Sequence, residues 1–375
     1  MLRIKLIGVG AAGNKAAIAA FEAGVIAEDE LLLINSNLGD VPEAYKQYCI
    51  VLSDKVKGTG KERDIARKIA IEYLDSIGNN KVDAFVEDAD LVCVVNSTEG
   101  GTGSGSSSVL YKYLLNVSNK NVMGFVFTGF EEDGRGLKNT VEYFKDLDEK
   151  IALQIISNRK FLPLLGKNKL RAEKMANEEF VRRLAIVSGR EMMESAQNID
   201  RTDLLKIVTT PGYLMAEYLE LDPQPQNMSQ FSRLLEDMIA ESKSLPTNAT
   251  AKRIGVIIDC PQELEKAIDF SFTAVVNAYG TPYELFTHVQ DSGDTPCICV
   301  LTAGMDMPLG EVQTIYRNFQ KQAEKVSEKN DSFANAMEEL LAEDPGIGFS
   351  LPSRGKVTQE ELLEKKQNFF DKLSK

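Results

Sequence analysis

Short apolar runs alternate with helix-length amphipathic segments through the first 160 residues. Near-continuous apolar runs of this length are typical of strands buried on both faces of a parallel sheet. The alternation predicts a doubly wound, Rossmann-like α/β domain, in which ligands bind beyond the carboxyl ends of the strands. The runs are LRIKLIGVG (2–10), LLLINSN (31–37), CIVLS (49–53), LVCVVN (91–96), VMGFVFTG (122–129) and IALQIIS (151–157).

A polar, helix-compatible stretch follows at 170–197 and places Phe180, Leu184 and Val187 on one face, which predicts a long helix between two domains. Beyond it, the helical segment QFSRLLEDMIAESKSL and the strand-like runs RIGVIID, YELFTHVQ and CICVLTAG predict a second α/β domain. The expected divisions are a ligand-binding domain at 1–172, a central helix at 173–197, a C-terminal α/β domain at 198–327 and a tail at 328–375.

The tail combines the acidic helical stretch NAMEELLAED with a linker, DPGIGFSLPSRGK, whose composition indicates flexibility. In the final segment, 352–375, Leu362, Phe369, Phe370 and Leu373 can share one face of a short helix. Two interpretations stay open: a tethered segment that binds an adaptor protein, or a helix packed on its own or a neighbouring subunit.

Composition narrows the function classes. The net charge of −13 argues against a surface that binds the phosphate backbone of a nucleic acid. We therefore expect any association with nucleic acid to be mediated by an adaptor protein. No leader or bilayer-length apolar run is present, so we expect a cytoplasmic protein without direct membrane insertion.

The single histidine, His288, has no evident Asp and Ser or Cys partners, which disfavours a mechanism in which a histidine activates a nucleophile. The cysteines are expected to be reduced core residues: Cys49, Cys93, Cys260, Cys297 and Cys299.

Three glycine-rich loops follow predicted strands: GVGAAGN (8–14), KGTGKERD (57–64) and STEGGTGSGSSS (97–108). The backbone amides of such loops face anions at the start of a helix. A dinucleotide-binding site also needs an acidic residue at the end of the second strand to bind the ribose. Here that strand ends in INSN (34–37), which has no acidic residue. None of the loops fits the P-loop pattern. Several phosphate-compatible loops at one sheet edge suit a triphosphate with a metal ion.

Together these loops resemble the tubulin/FtsZ superfamily of polymerising GTPases, and the resemblance covers roughly residues 1–325. It implies that domain 1–172 binds GTP, with GDP as the product, together with Mg²⁺ whose protein ligands stay unassigned. Asn158 and Asn177 are implied to contact the guanine, since an amide both donates and accepts hydrogen bonds. The full implied nucleotide set is Gly8, Gly10, Gly13, Asn14, Asn35, Gly58, Gly60, Gly100, Gly101, Thr102, Gly103, Ser104, Gly105, Asp133, Asn158 and Asn177.

The segment NIDRTD, residues 198–203, is similar to the family's synergy loop, N-x-D-x-x-D. The resemblance implies that Asp200 and Asp203 orient and polarise the attacking water on the neighbouring subunit's nucleotide, with Asn198 positioning the loop. The same residues also suit a helix N-cap, and the two interpretations are compatible.

The chain departs from the family pattern at two places near the expected phosphates. Glu99 stands where the signature loop usually has glycine, and Leu137 stands where an arginine is expected, with Arg135 or Lys138 as substitutes.

The resulting expectation is an assembly-activated GTPase that polymerises head-to-tail with copies of itself and positions or segregates DNA, plasmids or phage. A cell-division ring protein of the FtsZ type, a non-hydrolysing structural member and a dinucleotide-binding oxidoreductase stay as alternatives.

Overall fold

A continuous sheet runs through the computed structural model, which describes residues 2–76, 81–166, 168–190, 192–193, 199–222, 231–247, 249–267, 271–308, 310–321 and 323–325. Within those residues the sheet has ten strands. They are β1 Ile4–Val9, β2 Leu31–Asn35, β3 Cys49–Val51, β4 Leu91–Ser97, β5 Val122–Thr128, β6 Ala152–Ser157, β7 Gly212–Glu220, β8 Arg253–Asp259, β9 Glu284–Gln290 and β10 Cys297–Met305. Their order is β3-β2-β1-β4-β5-β6-β7-β10-β8-β9, all within the compact unit 1–322.

Helices cover both faces of this sheet. They are α1 Gly10–Glu22, α2 Arg63–Leu74, α3 Lys81–Val86, α4 Gly101–Asn116, α5 Gly134–Asp146, α6 Lys169–Ser188, α7 Arg201–Val208, α8 Phe231–Glu241, α9 Gln262–Ala267 and α10 Phe272–Tyr279. Residues 310–321 are also helical. No helix among the described residues is both long and apolar enough to cross a bilayer.

The predicted α/β class and the predicted strands are confirmed. From β3 to β7 every neighbouring pair is parallel, whereas β10 runs antiparallel to both β7 and β8, and β8 and β9 are parallel. Alternate residues of one strand enter opposite cores: Val92 and Val94 pack on one face, and Cys93 and Val95 on the other. Burial on both faces therefore explains the near-continuous apolar runs.

The strand β7 at residues 212–220 was not predicted from the sequence, yet it joins the two halves of the sheet. Glu217 interrupts the apolar pattern of this strand but is 4 % exposed. Its carboxylate accepts hydrogen bonds from Ser242 and Ser244 and lies 3.7 Å from the Arg183 guanidinium. Because these buried partners satisfy its carboxylate, Glu217 can occupy a core position where an apolar residue is expected. The domain divisions stay a prediction.

The central helix α6 buries its predicted apolar face, since Phe180, Leu184 and Val187 have no exposed surface. It ends at Ser188, short of the predicted residue 197, because Gly189 follows in the left-handed conformation with φ +63° and caps the helix. The predicted flexible tail, 328–375, lies outside the described residues. None of the five cysteines, all of which lie among the described residues, forms a disulfide bond, and three of them, Cys93, Cys260 and Cys299, are buried.

Candidate functional site

Loops at the carboxyl ends of β1, β2, β3 and β4 enclose a cavity of ≈ 330 Å³. The sheet topology brings these loops together because parallel strands end at the same edge. Eight of the predicted nucleotide residues line it: Gly10, Asn35, Gly58, Gly60, Gly100, Gly101, Thr102 and Gly103. Other lining residues were not predicted from the sequence; they include Ser36, Asp40, Thr59 and Lys61.

A second cavity of ≈ 220 Å³ shares Ala11, Ala12 and Ser97 with the first, so the two adjoin. The predicted guanine contacts Asn158 and Asn177 both line it, together with Phe127 and Phe130. Apolar walls with a few convergent amides can hold a planar base and read its edge. The pair of cavities thus offers an anion-compatible end and a base-compatible end.

Close backbone approach explains why the loops of the first cavity need glycine. Gly10 has φ +74°, and a Cβ there would lie 2.7 Å from the amide nitrogen of Gly103. A Cβ on Gly101 would lie 2.4 Å from Thr59 Oγ1. Only glycine permits such contacts, so the third loop packs directly against the backbone of the first loop and against Thr59 of the second.

Other predicted glycines serve packing instead of lining either cavity. A Cβ on Gly13 would lie 2.2 Å from the Val95 carbonyl oxygen, and one on Gly105 would lie 2.5 Å from the Arg63 carbonyl oxygen. Gly8 similarly faces α1, where Ala17 Cβ would be 2.9 Å away. Gly8 and Gly13 thus allow α1 to pack closely on β1 and β4, and Gly105 allows α4 to pack closely on α2. Ser104 is buried, and its hydroxyl donates to the Gly100 carbonyl.

Hydroxyl groups link the loops across the floor of the first cavity. Thr102 Oγ1 lies 2.7 Å from Ser36 Oγ and 3.2 Å from Thr59 Oγ1. Thr59 and Thr102 each lie between two glycines in the sequence, in GTG triplets, and this pattern is only a weak indication that they belong to the site. The connection to Ser36 has no sequence signal because the two residues are 66 positions apart.

Several buried amide atoms at this edge have no hydrogen-bond partner among the described residues. They include Asn35 Nδ2, Asn158 Oδ1 and both side-chain atoms of Asn14, which is 1 % exposed. Asn35 and Asn158 line the cavities, whereas Asn14 lies on α1 and lines neither. Buried polar groups are normally satisfied, so unpartnered amides beside a cavity fit a polar ligand.

Asp133 and its neighbours are engaged by protein groups. Asp133 caps α5 by accepting the Gly136 N–H and pairs with Lys61 at 2.8 Å. Partial burial alone would raise the pKa of Asp133, but the bonds from Lys61 and Gly136 hold it below its usual range. Arg135, a suggested substitute for the missing arginine, pairs with Glu62 at 2.8 Å.

The position of the missing arginine points into the protein. Leu137 has no exposed surface and packs with Val141 and Ile315. Lys138, the second suggested substitute, lies 3.5 Å from the Glu142 carboxylate. An arginine at 137 would place a charge in this small core, so the departure has a packing cause.

Glu99 turns toward the loop after β5 and lines the second cavity. Its carboxylate accepts the Glu131 N–H at 2.9 Å and covers Gly129, where a Cβ would lie 1.9 Å from Glu99 Cδ. Burial raises the pKa of Glu99, and the Asp133 charge adds to the rise, while the Glu131 N–H and Lys61 act against it.

The predicted catalytic aspartates lie at the opposite edge of the sheet. Arg201, between Asp200 and Asp203, pairs with Asp90, which precedes the amino end of β4. The glycine loop 97–103 follows the carboxyl end of the same strand. Seven residues of strand separate the two ends by about 20 Å. The structure therefore keeps Asp200 and Asp203 away from the cavity of their own chain.

Local geometry at these aspartates matches the helix-cap interpretation. Asp200 is the N-cap of α7, and its Oδ1 accepts the Asp203 N–H at 2.8 Å. The Asp203 carboxylate lies 3.6 Å from Lys206 Nζ, and its side chain is 25 % exposed. Asn198 lies outside the described residues. No cluster of three or more histidine, cysteine, aspartate or glutamate side chains suited to a metal ion occurs in the described part of the chain.

Comparisons with known proteins agree with this geometry. Residues 3–165 match the family model described as the Tubulin/FtsZ family, GTPase domain. The tubulin-like protein CetZ1 of Haloferax volcanii is 22% identical over 280 residues, which cover 68% of this chain and 70% of the relative. A match to a GTPase domain leaves the oxidoreductase alternative without support.

Solved structures show the same fold. The TubZ protein of Clostridium botulinum phage c-st, in a tail-truncated form, has a TM-score of 0.68 and 19% identity, covering 86% of this chain and 98% of that one. A TubZ structure from Bacillus thuringiensis serovar israelensis, described as a GTPyS-form protofilament, has a TM-score of 0.66 and 16% identity, covering 88% and 94%.

Proposed function

Residues 3–165 belong to the tubulin/FtsZ family of GTPase domains, and from that premise we propose that the chain binds GTP in the adjoining cavities and hydrolyses it after head-to-tail assembly. One observation carries the proposal. The glycine-lined cavity and the Asp200–Asp203 segment lie at opposite edges of one sheet, about 20 Å apart. A single chain thus has both halves of a hydrolytic site but cannot bring them together.

The triphosphate is placed in the first cavity, where the amides of the three loops and the start of α4 face it. The guanine is placed in the second cavity, within reach of Asn158 and Asn177. The donor set also fits Mg²⁺: Asp40 offers a carboxylate, and Thr59 and Thr102 offer hydroxyls beside the phosphates. When bound, the ion neutralises charge on the phosphate oxygens.

Head-to-tail stacking of identical subunits puts the Asp200–Asp203 edge of one copy against the cavity edge of the next. A heterologous contact of this kind, repeated without closure, produces a filament. Across the contact, the Asp203 carboxylate accepts a hydrogen bond from the attacking water and orients it in line with the γ-phosphate. The TubZ protofilament of the same fold supports this arrangement.

For the cellular role we infer positioning or segregation of DNA, plasmids or phage, supported by the similarity to a phage TubZ. The proposed adaptor would bind segment 352–375, which lies outside the described residues.

GTP turnover per subunit is expected to stay near zero below a threshold protein concentration and to rise steeply above it, because the site forms only between copies. Phosphate release is measured at saturating GTP and Mg²⁺ over a protein dilution series, with sedimented polymer measured in the same samples. The two thresholds should coincide. Turnover that is independent of protein concentration would show that hydrolysis needs only one chain.

Replacing Glu99 by glutamine is expected to tighten GTP binding a few-fold at pH 8, because it removes a negative charge from the wall of the second cavity, which adjoins the proposed phosphate site, and keeps an acceptor for the Glu131 N–H. Because the pKa of Glu99 is raised, the GTP affinity of the wild-type protein should depend on pH. Wild-type affinity should rise as falling pH neutralises this carboxyl, so the difference from the variant should shrink toward acid pH.

Nucleotide titrations between pH 5 and pH 8 test this effect of Glu99. The control is Glu173→Gln, since Glu173 also lines the second cavity but pairs with Lys15 at 3.9 Å. A constant difference between wild type and Glu99→Gln at all pH values would contradict the expectation.

A further inference from the structure

Two side chains of β9 accept hydrogen bonds from the backbone N–H groups of Met193 and Ile199. His288 and Gln290 are two residues apart on one strand, so they project from the same face. Gln290 Oε1 accepts the Met193 N–H at 2.7 Å, and His288 Nδ1 accepts the Ile199 N–H at 3.4 Å. One pair of side chains therefore fixes the backbone on both sides of residues 194–198.

The hydrogen-bond directions within this group are mutually consistent. Because His288 Nδ1 accepts the Ile199 N–H, its Nε2 carries the proton and donates to Gln290 Oε1 at 2.8 Å. The Gln290 amide nitrogen donates to Asp259 Oδ2 at 2.6 Å. His288 is 1 % exposed and Gln290 8 %. A buried chain of satisfied hydrogen bonds is rigid and fixes the orientation of the histidine ring.

The anchored residue stands next to the proposed catalytic segment. Ile199 immediately precedes Asp200 and is 5 % exposed. Its side chain lies beside Gly255 of β8, where a Cβ would be 3.4 Å from Ile199 Cδ1. On the far side of Asp200, Arg201 pairs with Asp90. The Asp200–Asp203 segment is thus held between β9 and the amino edge of β4.

We propose that His288 is a positioning residue for GTP hydrolysis: by accepting the Ile199 N–H it fixes the start of α7 and so aims Asp200 and Asp203 at the nucleotide of the neighbouring subunit. The inference rests on the proposed function. His288 itself contacts neither nucleotide nor water; it acts through the backbone of Ile199.

A matched pair of substitutions isolates this hydrogen bond. In His288→Asn the side-chain oxygen takes the place of Nδ1 and still accepts the Ile199 N–H. In His288→Gln the amide takes the place of Nε2, so the contact with Gln290 is kept and the acceptor for Ile199 is lost. Both replacements are polar, uncharged and able to occupy the histidine site.

Turnover is measured per sedimented subunit at saturating GTP, together with GTP affinity of the unassembled chain. His288→Gln should lower turnover per polymerised subunit by about ten- to a hundredfold, since small misplacements of catalytic groups have effects of this size. His288→Asn should stay close to wild type, and GTP affinity should be unchanged in both. A general loss of stability would instead lower the amount of polymer and leave turnover per polymerised subunit unchanged.

Amide hydrogen exchange of Ile199 in the wild-type monomer tests the contact without any substitution, and protection is the expected result. Rapid exchange, or equal turnover in His288→Asn and His288→Gln, would overturn the inference. An Asp203→Asn variant measured in parallel separates the two proposals. If both this variant and Asp200→Asn are fully active, the proposed function fails; if either of them is inactive while His288→Gln is fully active, only the role of His288 fails.

Discussion

Replacing Asp203 by asparagine is expected to lower GTP turnover by about 10²–10⁴-fold, the usual contribution of a group that accepts a proton or orients water. The change keeps the side-chain shape and leaves the Asp203 N–H free to bond Asp200, so α7 stays capped. Since the aspartate lies about 20 Å from its own cavity, GTP affinity of the monomer should be unchanged. Steady-state phosphate release and equilibrium nucleotide binding measure the two effects.

The control for Asp203→Asn is Asp294→Asn, which removes the same charge from an exposed aspartate between β9 and β10. Asp200→Asn complements the pair, because asparagine retains the N-cap while the charge is lost. If Asp203→Asn keeps full activity but Asp200→Asn does not, the catalytic role belongs to Asp200. Full activity in both variants would contradict a site completed by the neighbouring subunit.

Replacing Gly10 by alanine is expected to weaken GTP binding by about a hundredfold. The new Cβ would meet the Gly103 amide nitrogen at 2.7 Å and force apart the two loops that face the phosphates. Loss of two charge-assisted hydrogen bonds at about 1.5 kcal/mol each corresponds to an effect of this size. Equilibrium binding of GTP to the monomer measures it.

Gly24→Ala provides a matched control for the backbone strain at Gly10. Gly24 has φ +73°, nearly the same as the φ +74° of Gly10, but no heavy atom lies within 4 Å of its Cβ position. Both variants should lose about 1–2 kcal/mol of unfolding free energy to left-handed strain, which thermal unfolding can measure. Only Gly10→Ala should lose GTP affinity; equal affinities in the two variants would show that the Gly10–Gly103 contact does not shape the cavity.

Individual strands and loops show which features were readable from sequence. β4 was predicted because its residues are apolar without interruption, which reflects burial on both faces. β7 was missed because its buried Glu217 is satisfied by Arg183, Ser242 and Ser244, none of which is adjacent in sequence. A polar residue in a core can be anticipated only when its partners are known.

The candidate site was predictable to a similar extent. Glycine-rich loops identified the cavity, but they did not reveal that Gly13 and Gly105 serve packing or that Leu137 faces a core. His288 was set aside because no serine or aspartate accompanies it. Its partner is the backbone amide of Ile199, 89 residues away, which leaves no trace in side-chain composition.

The sequence alone determined the fold class and the cavity loops, because strand periodicity and the need for glycine are properties of short segments. Tertiary structure alone decided where those segments meet. It joined Thr102 to Ser36, anchored Ile199 on β9, and placed Asp200 and Asp203 at the edge of the sheet opposite the cavity. Contacts between distant residues depend on strand order and direction, which no local pattern specifies.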